Sequence, residues 1–175
     1  MRWVVLLRAV NLGARNKVPM AQLRALLEEE AGYRDVRTYI ASGNVLLDGP
    51  RSKAAVARKL EQVVADAFGV ETTAILRTPR ALGKTVEAHP FGDASETHVV
   101  FLAAKPTMAA VARLEAAVGG ADHAVLVGHE VYLRLPRGIH GTRLSVARLE
   151  SLLAVPATLR NWRTVVALAE LAAEA

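Results

Sequence analysis

Val36-Arg37-Thr38-Tyr39-Ile40-Ala41-Ser42-Gly43-Asn44-Val45-Leu46-Leu47 decides the fold. Val36 to Ile40 has the β-branched and aromatic composition of a strand, Ser42-Gly43-Asn44 is a tight turn, and Val45 to Leu47 is the returning strand. This hairpin lies between two helical patterns. On its N-terminal side Pro19 suits a first helical turn, and Met20, Leu23, Leu26 and Leu27 form one apolar stripe that Gly32 can terminate. On its C-terminal side Ser52 is a fitting N-cap for a helix that carries Val56, Leu60, Val63, Val64 and Phe68 on one face and closes at Gly69.

Further out lie two more strands. Residues 3–7 are a continuous apolar run, followed by the polar loop Asn11-Leu12-Gly13-Ala14-Arg15-Asn16-Lys17-Val18. Thr72 to Arg77 is the other strand, which completes the order βαββαβ, the split ferredoxin-like arrangement. After a connecting helix from Thr78-Pro79 to about His89-Pro90 the order recurs. Residues 98–103 form a strand, Thr107 caps a helix with Met108, Val111, Leu114 and Val118, and residues 123–127 and 131–135 flank a turn at Gly128-His129. A helix with Leu144, Leu149, Leu152 and Leu153, a short strand at Ala157 to Leu159, and a last helix through Val165, Val166, Leu168 and Leu171 finish the chain. The predicted fold is α+β: two ferredoxin-like βαββαβ sandwich lobes, residues 1–78 and 79–175, the second carrying the connecting helix and a C-terminal helix. It is a structural duplication without a visible residue-level repeat.

The bulk numbers fit this plan. A chain of 175 residues with 52% apolar content supplies two small cores. The absence of cysteine excludes disulfides and thiolate metal sites. The apolar run near Met1 is too short for a signal-peptide core, and charges interrupt every later hydrophobic stretch, so a cytoplasmic protein without membrane contact is expected. The net charge is +5. Arg2, Arg8, Arg15, Lys17 and Arg24 all precede the first acid, Glu28, and Arg134, Arg137, His140, Arg143 and Arg148 share a second acid-free stretch. Such clustering admits an anionic small molecule or nucleic acid as partner, although a basic stretch is more often only a solvated face.

Topology brings the polar residues of the first lobe together. In an antiparallel ferredoxin-like sheet the first two strands run the same way, so the loop after strand one neighbours the hairpin turn after strand two. Arg8, Asn11, Arg15, Asn16 and Lys17 should thus approach Ser42 and Asn44, beside the N-terminus of the first helix, where free N–H groups and the helix dipole favour anions. A conformational reading stands beside this one: Asn11, Gly13 and Gly43 permit left-handed backbone, and Ser42-Gly43-Asn44 is ordinary turn chemistry. The second lobe offers a plainer edge, Lys105-Pro106-Thr107 with Gly128-His129-Glu130. Thr158-Leu159-Arg160-Asn161-Trp162-Arg163-Thr164 is a further candidate around a helix start, with capping by Thr158 or Asn161 and burial of Trp162 as its structural alternative.

Common enzyme signatures are missing, among them the phosphate loop, the dinucleotide glycine triplet, the nucleophile elbow and the helical zinc motif. His89, His98, His123, His129 and His140 lack metal-ligand spacing, so no metal or other cofactor is expected. Base stacking on central strands, as RNA-binding versions of this fold use, is disfavoured, because strand three is Val45-Leu46-Leu47 and strand one offers only Trp3.

Four stretches carry a family likeness: Leu6-Leu7-Arg8-Ala9-Val10-Asn11-Leu12-Gly13 leading to Asn16-Lys17-Val18-Pro19-Met20; Val36 through Val45; Val131-Tyr132-Leu133; and Arg160-Asn161-Trp162-Arg163-Thr164-Val165. In that order they resemble the domain-of-unknown-function 1697 family of bacterial proteins, over essentially the whole chain. The resemblance implies two ferredoxin-like parts and lends no substrate. It singles out Arg8, Asn11, Asn16, Lys17, Ser42, Asn44, Arg160, Asn161 and Trp162. The chain departs from the pattern at Ala14, at Leu159 and at His140-Gly141-Thr142.

Three functional readings follow. The first is a binding module that holds a phosphate-bearing nucleotide or nucleic acid at the strand-one edge. The second is a metal-independent enzyme acting on a phosphorylated or carboxylated small molecule, with Arg8 or Lys17 stabilising charge. The third is an interaction role in which exposed sheet edges join two copies or another protein. The final helix is not needed by the second βαββαβ unit, so Arg160, Asn161 and Trp162 are expected to complete the first lobe's site.

Overall fold

The computed structural model describes residues 1–174. Its chain divides into two compact units: Met1–Leu82 joined by the chain from Leu168 onward, and Gly83–Ala167. In the first unit the strands are β1 (Arg2–Leu7), β2 (Arg34–Tyr39), β3 (Asn44–Asp48) and β4 (Ala74–Arg77), with helices α1 (Met20–Glu29) and α2 (Lys53–Phe68) between them. The sheet order is β2-β3-β1-β4 and every neighbour is antiparallel. Helix α3 (Pro79–Glu87) leads into the second unit. There β5 (Thr97–Leu102), α4 (Met108–Ala117), β6 (His123–Val127), β7 (Glu130–Arg134), α5 (Val146–Leu153) and β8 (Ala157–Asn161) repeat the plan, in the antiparallel order β6-β7-β5-β8, and α6 (Trp162–Ala173) follows. The α+β fold of two ferredoxin-like units with a connecting and a C-terminal helix therefore stands.

Local chemistry explains the elements. Ser52, Thr107 and Ser145 accept from Ala55, Ala110 and Arg148 N–H at the starts of α2, α4 and α5. Gly69 ends α2 in the left-handed conformation, at φ 64°. Trp3, Val5, Leu7, Val45 and Leu47 alternate onto the helix-facing side of the first sheet, where they meet Leu23, Leu27, Val56, Leu60 and Val64. In the second unit Val100, Leu102, Val131 and Leu133 do the same against Leu114, Leu149 and Leu153.

Most element ends differ from the sequence reading by one to three residues, as in β2, α3, β4 and β5, and three differences have a clear structural reason. Pro19 stands just before α1, not in its first turn. Leu144 packs in the second core ahead of the Ser145 cap, outside α5. The strand expected to end at Leu159 runs on through Arg160 and Asn161, because these pair with Val99 and His98 of β5.

The duplication also reaches single residues. Val4 faces Arg77 in the first sheet and Val99 faces Arg160 in the second. Ala74-Ile75-Leu76-Arg77 thereby corresponds to Ala157-Thr158-Leu159-Arg160. Glu61 Oε1 accepts from Ala74 N–H at 2.8 Å, and Glu150 Oε1 accepts from Ala157 N–H at 2.7 Å. Both arginines are buried, and each donates from Nη1 to the carbonyl just before it, at 3.0 Å in Arg77 and 2.8 Å in Arg160. The next residue caps the following helix in both cases: Thr78 accepts from Ala81 N–H and Asn161 from Thr164 N–H. A residue-level repeat is therefore present, short and confined to the fourth strand and the turn after it.

Candidate functional site

The loop between β1 and α1 is built from left-handed turns. Ala9, Asn11, Gly13 and Asn16 all have φ between 51° and 57°. Asn11 is the clamp: its Nδ2 donates to Val18 O at 2.9 Å and to Ala41 O at 2.7 Å, and its Oδ1 accepts from Val18 N–H at 2.8 Å. Asn16 Nδ2 donates to Ala9 O at 2.7 Å and closes the loop on itself. Asn side chains suit both demands, since they tolerate positive φ and offer a donor and an acceptor together.

The hairpin meets this loop as the topology requires. Leu7 N–H donates to Gly43 O at 2.8 Å, and the Asn11 bond to Ala41 ties the two segments. Gly43 has φ 81°, and a Cβ there would lie 2.5 Å from Val10 Cγ2, so both backbone conformation and space demand glycine. Asn44 is fully buried and donates to Tyr39 O at 3.0 Å and Ser42 Oγ at 2.9 Å. Asn11 is thus brought to the hairpin that holds Ser42 and Asn44, while Asn16 braces only its own loop, and the hydrogen bonds of these side chains brace backbone and turn.

The cations separate. Arg8 lines a cavity of about 590 Å³ with Arg58, Glu61, Gln62, Glu71 and Thr72, on the α2 side. Lys17 lines another, of about 490 Å³, with Asn11, Val18, Pro19, Met20, Thr38, Ile40 and Ala41. Arg15 and Asn16 stand at the exposed loop tip and line neither. The Lys17 cavity opens at the start of α1, which has no side-chain cap and no acidic residue in its first turn. Among the described residues each of the other five helices is capped, by Ser52, Thr78, Thr107, Ser145 or Asn161.

In the second unit Arg160 lies in β8, 6% exposed, and its Nη1 also donates to Thr158 Oγ1 at 2.8 Å. Burial lowers its guanidinium to about 10. Asn161 caps α6, and Trp162 is half-buried with its ring 4.3 Å from that of His89 at a 50° tilt. Tyr132 is buried and its hydroxyl donates to Thr85 O at 2.7 Å; burial first, and Glu130 second, push it up to about 12. A cavity of about 370 Å³ is lined by Ser95, Thr97, His98, Asn161, Trp162 and Arg163. His98 in its lining and His89 beside it are not site candidates in the sequence, where isolated histidines carry no spacing signal. His89 Nε2 and Thr97 Oγ1 share a 2.9 Å hydrogen bond, and burial lowers the His98 pKa against the opposing Glu96 carbonyl. Among the described residues no three His, Cys, Asp or Glu side chains are placed to hold a metal ion, and no helix is long and apolar enough to cross a membrane.

A family model described as a protein of unknown function (DUF1697) matches residues 1–132. The chain belongs to that family. The DUF1697 match takes in both polar stretches of the first unit and ends at Tyr132, before Arg160-Asn161-Trp162. The conserved bacterial protein SP0830 from Streptococcus pneumoniae is similar in structure, with a TM-score of 0.77, 21% identity and 98% of each chain covered. That likeness extends the shared fold over the remaining residues. No curated protein matches the chain.

Proposed function

We propose that the first unit of this DUF1697 protein is a binding module for an anionic group, a phosphate of a nucleotide or of nucleic acid, held at the start of α1. The supporting observation is the uncapped N-terminus of α1 opening on a cavity that Lys17 edges. The first N–H groups of a helix have no intrahelical acceptor, and the dipole adds positive potential there. Pro19 has no side-chain oxygen to satisfy them, and the Asn11 clamp on Val18 fixes the approach of the chain. Thr38 adds a hydroxyl to the rim. Arg8, lining a different cavity, takes no part in this reading. The cavity lining contains no His, Asp or Glu that could act as a general base, which favours binding over catalysis.

The test is calorimetric titration of the full chain with inorganic phosphate, ATP and a short single-stranded oligonucleotide at two salt concentrations. Lys17→Ala should weaken binding about tenfold, a loss of roughly 1.4 kcal/mol, while Arg8→Ala leaves it unchanged. Affinity for ATP or oligonucleotide should fall with salt. Absence of binding by all three probes, or equal affinities for wild type and Lys17→Ala, would overturn the reading.

A further inference from the structure

The two units expose equivalent edge strands, β2 and β6, in opposite states of protection. An edge strand presents a row of open N–H and C=O groups, and proteins ordinarily blunt it with charge, a bulge or a cover. β2 has the first two devices. Its register shifts between Arg34 and Arg37, Asp35 sits at φ 45°, and Asp35 is held by Arg2 at 2.8 Å and Arg37 at 3.1 Å. β6 has neither. His123-Ala124-Val125-Leu126-Val127 pairs with β7 in unbroken register from His123↔Arg134 to Val127↔Glu130, contains no carboxylate or ammonium, and leaves Val125 36% and Val127 40% exposed. The opposite edges, β4 and β8, are mostly buried along their length.

The ladder pattern says what fits this edge. Val127 and Glu130 close a two-residue turn, which makes them a hydrogen-bonded pair, and antiparallel pairs alternate. His123, Val125 and Val127 therefore direct their backbone groups to β7, and Ala124 and Leu126 direct theirs outward. We infer that two copies of this chain join through antiparallel pairing of β6 with β6 about a twofold axis at Val125. In that register Ala124 of each copy exchanges both backbone hydrogen bonds with Leu126 of the other, which satisfies every outward group of the strand. Val125 then faces its own copy in a close, non-hydrogen-bonded pair, and His123 faces Val127. Asp122 falls opposite Gly128, so no like charges meet. The arrangement is isologous and closed, as a twofold dimer must be, and the strand's neutrality and self-complementary register favour a second copy over a charged peptide.

Sedimentation equilibrium of the full chain tests the pairing. A concentration-dependent dimer is expected, and Val125→Lys should abolish it by setting two ammonium groups against each other, with the melting temperature of the dilute protein unchanged. The chain has no cysteine, so Val125→Cys reports the register directly: it should give a disulfide-linked dimer under mild oxidation, because non-hydrogen-bonded cross-strand pairs have Cα atoms about 4.5 Å apart, within disulfide reach. Arg37→Cys, at the equivalent position of β2, should stay monomeric under the same conditions. A wild-type chain that sediments as a monomer at its highest soluble concentration overturns the inference. So does a dimer that survives Val125→Lys, or cross-linking that is as efficient at Arg37→Cys as at Val125→Cys.

Discussion

The two units share one scaffold and differ in what is hung on it. Both buttress the fourth strand with a helix glutamate, Glu61 or Glu150, both bury an arginine at its end, and both cap the next helix from the following residue. The connection after the first strand is where they part. In the first unit it is a long left-handed loop clamped by Asn11 and leading to an uncapped helix. In the second it is the short Lys105-Pro106-Thr107 segment, and Thr107 caps α4. What recurs holds the sheet together; what does not recur is the loop and helix start on which the proposed anion site rests. The polar residues singled out in the sequence belong to both classes, and the comparison separates them: Arg160 and Asn161 have counterparts in Arg77 and Thr78, whereas the Asn11 clamp and Lys17 have none.

Asn11→Ala should break the comparison hardest. It removes three hydrogen bonds at once, leaves Val18 N–H buried without its acceptor, and puts alanine at φ 53°. A loss of about 2–3 kcal/mol in urea denaturation is expected. A loss within a few tenths of zero would mean that the loop is not braced by this side chain. Glu61→Ala and Glu150→Ala sharpen the shared part. Each deletes one charge-assisted bond to the first N–H of a fourth strand, so each should cost about 1.5–2 kcal/mol, and the two should agree closely. A large effect in one and none in the other would show that the equivalence is geometric only.

The smallest expected effect separates Trp3 from His98, which occupy matching places opposite Leu47 and Leu133. Burial holds the His98 pKa below the ordinary 6.5. Unfolding therefore takes up a proton as pH falls below the unfolded value, so stability drops on acidification from neutral pH and is fully present above it. His98→Phe should flatten the slope of melting temperature against pH between neutral and mildly acidic conditions. An unchanged slope would assign the dependence to another group.

Much of this was legible in the sequence. The apolar alternation of residues 3–7 and 45–47, the helix stripes, the Ser52 and Thr107 caps and the two-residue turn at Gly128-His129 are local signals, and local signals state the order βαββαβ twice. That order with antiparallel pairing already brought the β1 loop to the hairpin turn, and the Asn11 bond to Ala41 realises it. The repeat Ala-Ile-Leu-Arg and Ala-Thr-Leu-Arg was also in the sequence, too short to be seen until the sheet register aligned it. The direction of each side chain was not legible. Arg8 and Lys17 are near in sequence and line different cavities, because the loop between them reverses through several left-handed residues braced by the Asn11 bonds to Val18 and Ala41 and the Asn16 bond to Ala9.

The sequence by itself determined the element order, the fold class, the family and the polar residues that mark both ends of the chain, since periodicity, capping chemistry and motif order are written residue by residue. The tertiary structure alone decided that the Asn11, Asn16 and Asn44 amides brace turns, that α1 is the helix left without a cap over a cavity, and that of two like edge strands β2 is guarded and β6 open. Those outcomes depend on which backbone groups meet across the sheet, and hydrogen bonds between residues thirty or more apart cannot be read from either partner alone.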